Sequence, residues 1–253
     1  MTDPFQFTML EREQILALSQ ASLYEDSDDA REAFEYLTST RKIDKETLVK
    51  FNIGYVPVRV SNRRISGKII FPIYDSNENI VAISTRDFRN TNNNRGHWHE
   101  SYVKKHHLFG WKQSKDEIKR TRQIIVVEGQ FDAMAMHSSG FCNTVGILGS
   151  HPSFIQTMMF CRYADEIVLA FDGDSAGEKA FDEAVNTLYS SGIMYDKTIS
   201  YFRLDLGLYE DPDDLIKNAG REEMEMQIEL SRKVKKNNDA AQWSTDVSNF
   251  SID

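Results

Sequence analysis

The sequence predicts an α/β protein: a mostly parallel sheet covered by helices on both faces, preceded by a smaller, basic, mixed α+β subdomain. Two observations carry this. From Gln123 onward, short apolar strand-type runs alternate with helix-type segments, the pattern of a parallel sheet buried on both sides. Before Gln123, two β-type runs sit inside a strongly basic stretch. With 253 residues, 40% of them hydrophobic, the chain can bury a sizeable core as one large domain or two smaller ones in contact.

Taken in order, Asp26 to Phe51 reads as one or two amphipathic helices, with Ala30, Phe34, Leu37, Ile43, Leu48 and Phe51 as the apolar positions. KIIFPIYD and NIVAIST then form two strands, joined by a turn at Ser76-Asn77-Glu78-Asn79. NTNNNRG (residues 90–96) is too polar for a packed element and reads as a loop. The alternation that follows is IIVV, FDAMAMHSSG, NTVGIL, SFIQTMMFCRYA, EIVLAF and AGEKAFDEAVNTLYSS, then the strand TISYFRL and a terminal helix after Asp213. From Lys233 the chain is polar and weakly periodic, which reads as an extension or partly disordered tail. The division expected is therefore 1–122, 123–232 and 233–253.

Charge is distributed unevenly. The net charge is −9, yet Arg59 to Arg122 holds 14 Lys and Arg against 6 Asp and Glu. A basic first half beside an acidic second half suits a protein that holds a polyanion with one and divalent cations with the other; a merely solvated basic face is the alternative. There is no run of eighteen apolar residues, and MTDPFQFTMLEREQ lacks the basic and apolar regions of a signal peptide, so the expectation is a cytoplasmic protein with no membrane partner. Cys142 and Cys161 have no CxxC spacing, so no zinc site is expected.

The chemistry-bearing residues cluster after the strands, where parallel α/β sheets bind ligands. Glu128 and Asp132 follow IIVV; Asp172 and Asp174 follow EIVLAF; Asp211, Asp213 and Asp214 follow TISYFRL. Asp172-Gly173-Asp174 can aim two hard carboxylates at one cation while the glycine permits a tight turn, and such donors suit Mg²⁺ or Mn²⁺. Whether Glu128 is a general acid or base or a further ligand is left open by its position. Each motif also has a plain reading. Asp211-Pro212-Asp213-Asp214 is a good helix start, and DGDSAG could be a turn capped by Ser175. The joint placement on successive strand ends is what singles out the site.

At these residues the sequence resembles a known family. VVEGQFDAMAMHSSG, NTVGILGS and EIVLAFDGDSAGEKA match the Toprim pattern of a glutamate after the first strand and a DxD after the third. EDPDDLIKNAG, AFEYLTSTRKIDKETLVKFNIGYVP and GKIIFPIYDSNENIVAISTRDF look like bacterial-type (DnaG-like) DNA primases, and the likeness runs over roughly residues 26–230. The resemblance implies a Rossmann-like Toprim fold and RNA primer synthesis on single-stranded DNA by metal-dependent nucleotidyl transfer from ribonucleoside triphosphates. It implies Glu128, Asp172 and Asp174 as core acids, Asp132, Asp211 and Asp213 as supporting metal acids, and Lys68, Arg86 and Lys104 as template or nucleotide contacts.

The chain also departs from the family. It has no cysteine set for the zinc-binding module and no room for a helicase-binding domain, so a separate zinc-binding subunit or a replicative helicase is an expected partner. His97-Trp98-His99-Glu100 stands where relatives show a Lys-Tyr-Leu-Asn type segment. Trp98, Tyr102 and Phe109, interleaved with Lys104 and Lys105, suit base stacking or core packing equally. Two alternatives stay open: a Toprim nuclease, disfavoured by the primase-like N-terminal segment, and a non-catalytic single-stranded-DNA-binding module, disfavoured by the intact acids.

Overall fold

Two four-stranded sheets share a core in the computed structural model, which describes residues 6–90, 96–195 and 199–247. The first is antiparallel, in the order β1 (Gly54–Val56), β2 (Lys68–Tyr74), β3 (Ile80–Arg86) and β4 (His97–His99). The β2–β3 hairpin turns where the sequence places it. The Asp75 carboxylate accepts bonds from the Asn77 and Asn79 amides, both at 2.9 Å, and Glu78 takes the left-handed conformation at φ 68°. Of the loop expected at residues 90–96, residues 91–95 lie outside the described residues.

Strands β5 (Gln123–Val127), β6 (Thr144–Gly146), β7 (Glu166–Leu169) and β8 (Ser200–Arg203) form the second sheet, all parallel, in the order β6-β5-β7-β8. The continuous apolar runs that mark these strands are explained by burial on both faces. Ile124, Val126, Ile167 and Leu169 pack on α4 (Trp111–Thr121), α6 (Phe154–Tyr163) and α7 (Ser175–Met194). Ile125, Val127 and Val168 face the other way, against α5 (Gln130–Ser138), α8 (Pro212–Val247) and the apolar face of β2. Phe71 of β2 meets Phe131 of α5 edge-on at 5.4 Å, which ties the two sheets together. Helix α4 precedes the division drawn at 122 and 123 from sequence and packs on the parallel sheet.

The helical reading of residues 26–51 resolves into α2 (Asp28–Glu35), a π-type turn at Tyr36–Thr40, and α3 (Lys45–Lys50). Ahead of them lies α1 (Met9–Leu23), which hydrophobic periodicity does not reveal because its buried positions are Arg12, Ser19, Ser22 and Leu23. Arg12 explains how it is held. The Glu100 carboxylate, fully buried, accepts from Arg12 Nε and Nη2 at 3.0 Å each and from the amides of Phe7 and Ile83 at 2.7 Å each. Ser19 sits against Gly54, where any side chain would collide with it. At the other end, α8 is broken at Gly220 (φ 84°, ψ −171°) and then continues to Val247, so the segment read as a tail from Lys233 is helical that far. No helix among the described residues is long and apolar enough to cross a membrane.

Candidate active site

Sheet order alone predicts where a ligand binds. The chain leaves β5 for β6 on one side and returns to β7 on the other, so the carboxyl ends of β5 and β7 flank the switch point. Glu128 directly follows β5, and Asp172 lies just beyond β7. The Asp172 amide donates to Glu128 Oε1 at 3.3 Å, which joins the two strand ends.

Three more acids are brought in as helix caps. Asp132 Oδ2 accepts from the Gly129 amide at 3.0 Å at the start of α5. Asp174 Oδ1 accepts from the Ala176 and Gly177 amides, both at 2.9 Å, so the cap of α7 is Asp174 and not Ser175. Asp211 Oδ1 accepts from the Asp214 amide at 2.6 Å and caps α8, as the Asp-Pro-Asp-Asp pattern predicts. The tight approach in the Asp172 turn lies at Gly177 rather than Gly173: a Cβ on Gly177 would stand 2.0 Å from the Asp172 carbonyl oxygen.

Asp213 is almost fully buried, and its Oδ2 takes two cations, Arg41 Nη1 and Lys217 Nζ, each at 2.8 Å. Its Oδ1 is buried with no hydrogen-bond partner among the described residues. Arg41 lies 4.2 Å above the Phe131 ring and donates from Nε to Tyr36 Oη at 2.9 Å, so it is fixed from both sides.

The electrostatics record the crowding. Burial first, then Asp172 and Asp174, push the Glu128 carboxyl up to about 7. Burial and the charges of Asp211, Asp213 and Asp172 push Asp132 to about 7, and burial with Asp211, Asp174 and Glu210 pushes Asp172 to about 6. Asp211 is raised as well, chiefly by burial. Among the described residues no three acids, histidines or cysteines converge at ligand distance. The donor set nevertheless fits a hard divalent cation: the acids raise one another's pKa values, and a buried carboxylate oxygen at Asp213 lacks a partner among the described residues.

Opposite the acids stands the antiparallel sheet. Arg86 pairs with Ile69 on one side and His97 on the other, so all three share the face that packs toward the parallel sheet. The Arg86 Nε is buried without a partner among the described residues. Desolvation, followed by the charges of Arg86, His99, Arg41 and Lys104, pulls His97 down to about 4, which places one group of cations around it. Lys104, half-buried, belongs to that group, and burial lowers its pKa. Lys68 does not: by strand alternation it lies with Ile70 on the opposite face from Arg86, and the charge opposing its burial is Asp87. Among the aromatic candidates Phe109 is core, Tyr102 packs against the core with its hydroxyl pKa raised by burial, and Trp98 stacks edge-on with Phe7 at 6.2 Å.

Beyond the acid turn, a cavity of about 920 Å³ opens between β7, β8 and the loop of residues 204–211. Asp172, Asp174, Glu178, Asp205 and Asp211 stand on its wall together with Arg203. Sequence reasoning missed Arg41, Lys217 and Arg203. Arg41 and Lys217 both lie in the primase-like stretches; Lys217, four residues after Asp213 on α8, has a helical pairing spacing that could have found it, whereas Arg41 meets its acid 172 residues away.

The comparisons with known proteins bear on this geometry. Residues 122–196 match the family model of the Toprim domain. The DNA primase of Borreliella burgdorferi is 31% identical over 224 residues, covering 75% of this chain and 42% of that protein. A crystal structure of the Aquifex aeolicus primase, with zinc binding and RNA polymerase domains, superposes with a TM-score of 0.75 at 24% identity, over 91% of this chain and 64% of that one. The chain has the fold of a DnaG-like primase core. A DnaG primase catalytic domain bound to single-stranded DNA has the same likeness, with a TM-score of 0.72 at 21% identity over 88% of this chain and 80% of that one. This primase-like core spans under half the length of the curated relatives it matches.

Proposed function

We propose that the protein synthesises short RNA primers on single-stranded DNA by nucleotidyl transfer from ribonucleoside triphosphates. The observation that carries this reading is the opposition of two charged faces. Acids from the ends of β5 and β7 and the start of α8 meet Arg41, which shares with Arg86 of β3 and Lys104 one group of cations around His97, within a fold like that of primase cores.

Glu128, Asp172 and Asp174 would hold divalent cations, Mg²⁺ or Mn²⁺, with Asp132, Asp211 and Asp213 around them. When bound, such cations lower the pKa of a primer 3′-hydroxyl and neutralise the leaving pyrophosphate. The chain's own groups do the rest. The hydrogen bond from the Asp172 amide to Glu128 keeps the two strand ends in one place. Arg41 and Lys217 hold Asp213 by one oxygen, and the other has no partner among the described residues. Arg86 and Lys104 contact template or nucleotide phosphates and set their distance from the acids. Lys68, on the far face, serves the template only at its periphery.

The test is incubation with single-stranded DNA, labelled ribonucleotides and either cation. Short RNA products that require template and metal are expected. DNA degradation without RNA under both metals would replace this reading with a nuclease.

A further inference from the structure

We propose that Arg203 is a positioning residue for the acid turn, acting through the backbone of Asp172; the proposal rests on the reading of that turn as the metal-holding centre. Arg203 is the last residue of β8 and pairs in register with Leu169, the last residue of β7. From there its Nη2 donates to the Asp172 carbonyl oxygen at 3.3 Å. The amide of the same residue donates to Glu128 Oε1, also at 3.3 Å. The backbone of Asp172 is therefore gripped at both its polar groups, by Glu128 from β5 and by Arg203 from β8.

Two further contacts close the clamp. Gly177 of α7 lies directly against the Asp172 carbonyl, so the peptide cannot tilt toward the helix. The Gly173 amide donates to the Glu210 carbonyl at 2.9 Å, which anchors the turn to the loop of residues 204–211 that follows Arg203. The Arg203 Nη1 also faces Glu178 on the first turn of α7 at 3.7 Å, a weak, exposed pair.

A clamp is needed here because of charge. Asp172 is repelled by Asp211, Asp174 and Glu210, and Arg203 is the one basic side chain among the described residues on the cavity wall that these acids share. A guanidinium is well suited to hold such a turn, since it stays charged and directs several donors from a planar fork, so one group can hold a carbonyl and face a carboxylate together. A bond from a charged donor to this carbonyl corresponds to about tenfold in rate if its loss lets the two carboxylates move during turnover.

The experiment compares Arg203→Met, which removes the donor, with Arg203→Gln, which keeps a neutral donor, and Arg203→Lys. Two readouts are taken on the full chain: RNA synthesis with kcat and KM separated, and amide hydrogen exchange of peptides spanning residues 170–178. Arg203→Met is expected to lower kcat about tenfold at unchanged nucleotide KM and to speed exchange across the turn, while Arg203→Lys, which keeps the charge and most of the reach, recovers most of both. Arg203→Gln, with a neutral and shorter donor, is expected to fall between them. Unchanged exchange in Arg203→Met overturns the proposal, and so does a loss confined to KM, which would make Arg203 a substrate-binding group. If the parent protein makes no RNA while Arg203→Met still loosens the turn, the clamp stands and the synthetic reading falls.

Discussion

Glu128→Gln offers a stability test of the acid site that needs no substrate. In the metal-free protein the Glu128 carboxyl titrates at about 7, against an ordinary value of 4.5, because burial and then Asp172 and Asp174 disfavour its charge. A carboxyl raised in the folded state binds its proton more tightly there than when unfolded. Its stabilising contribution is complete below pH 4.5 and is lost as the pH climbs through 7. Converted in full, the shift is roughly 3 kcal/mol, at about 1.4 kcal/mol per pKa unit. Glu128 is only partly buried, so solvent screening reduces this to about 1–2 kcal/mol. Glutamine has nearly the same shape and no charge to lose. Metal-free Glu128→Gln should therefore be more stable than the parent at pH 8, by about 3–6 °C in Tm for a chain of this size, and nearly equal to it at pH 4.5. Thermal unfolding with a chelator present, at both pH values, reads this directly. A variant less stable than the parent at pH 8, or a gain that is the same at pH 4.5, would refute the idea that ionised Glu128 strains the site.

Other expectations follow from particular contacts. Glu100→Gln leaves Arg12 buried without its counter-charge and should cost about 3–5 kcal/mol, read as a fall in the urea midpoint. Gly177→Ala puts a methyl 2.0 Å from the Asp172 carbonyl, so it should abolish synthesis and expose peptides of the turn to faster exchange, with a smaller effect on global unfolding. Arg86→Ala should weaken binding to single-stranded DNA of any sequence and reduce the salt dependence of that binding by about one ion, whereas Lys68→Ala, on the other face, should do so less.

Much of the parallel sheet was legible because its strands are continuous apolar runs and its helices have capping signals; Asp211 as the cap of α8 is one of them. The acids were legible for a related reason: a parallel sheet exposes strand ends at one edge, so position after a strand says where a side chain goes. Helix α1 was not, since it is held by a buried Arg12–Glu100 pair and by close contact at Gly54, neither of which leaves a periodic trace. Arg86 and Lys68 looked equivalent in a basic stretch, and only strand register separates their faces. Arg41 and Arg203 depend on pairings 172 and 31 residues away, which one-dimensional spacing does not encode.

In the proposed function one cluster of acids performs the chemistry while a separate basic face holds the DNA. Asp172→Ala tests that division most directly, with RNA synthesis and single-stranded DNA affinity measured on the same preparation. No RNA product and an affinity within about twofold of the parent are predicted, because phosphate contacts come from the basic face. Continued synthesis by Asp172→Ala, or loss of DNA binding in step with loss of product, would contradict it.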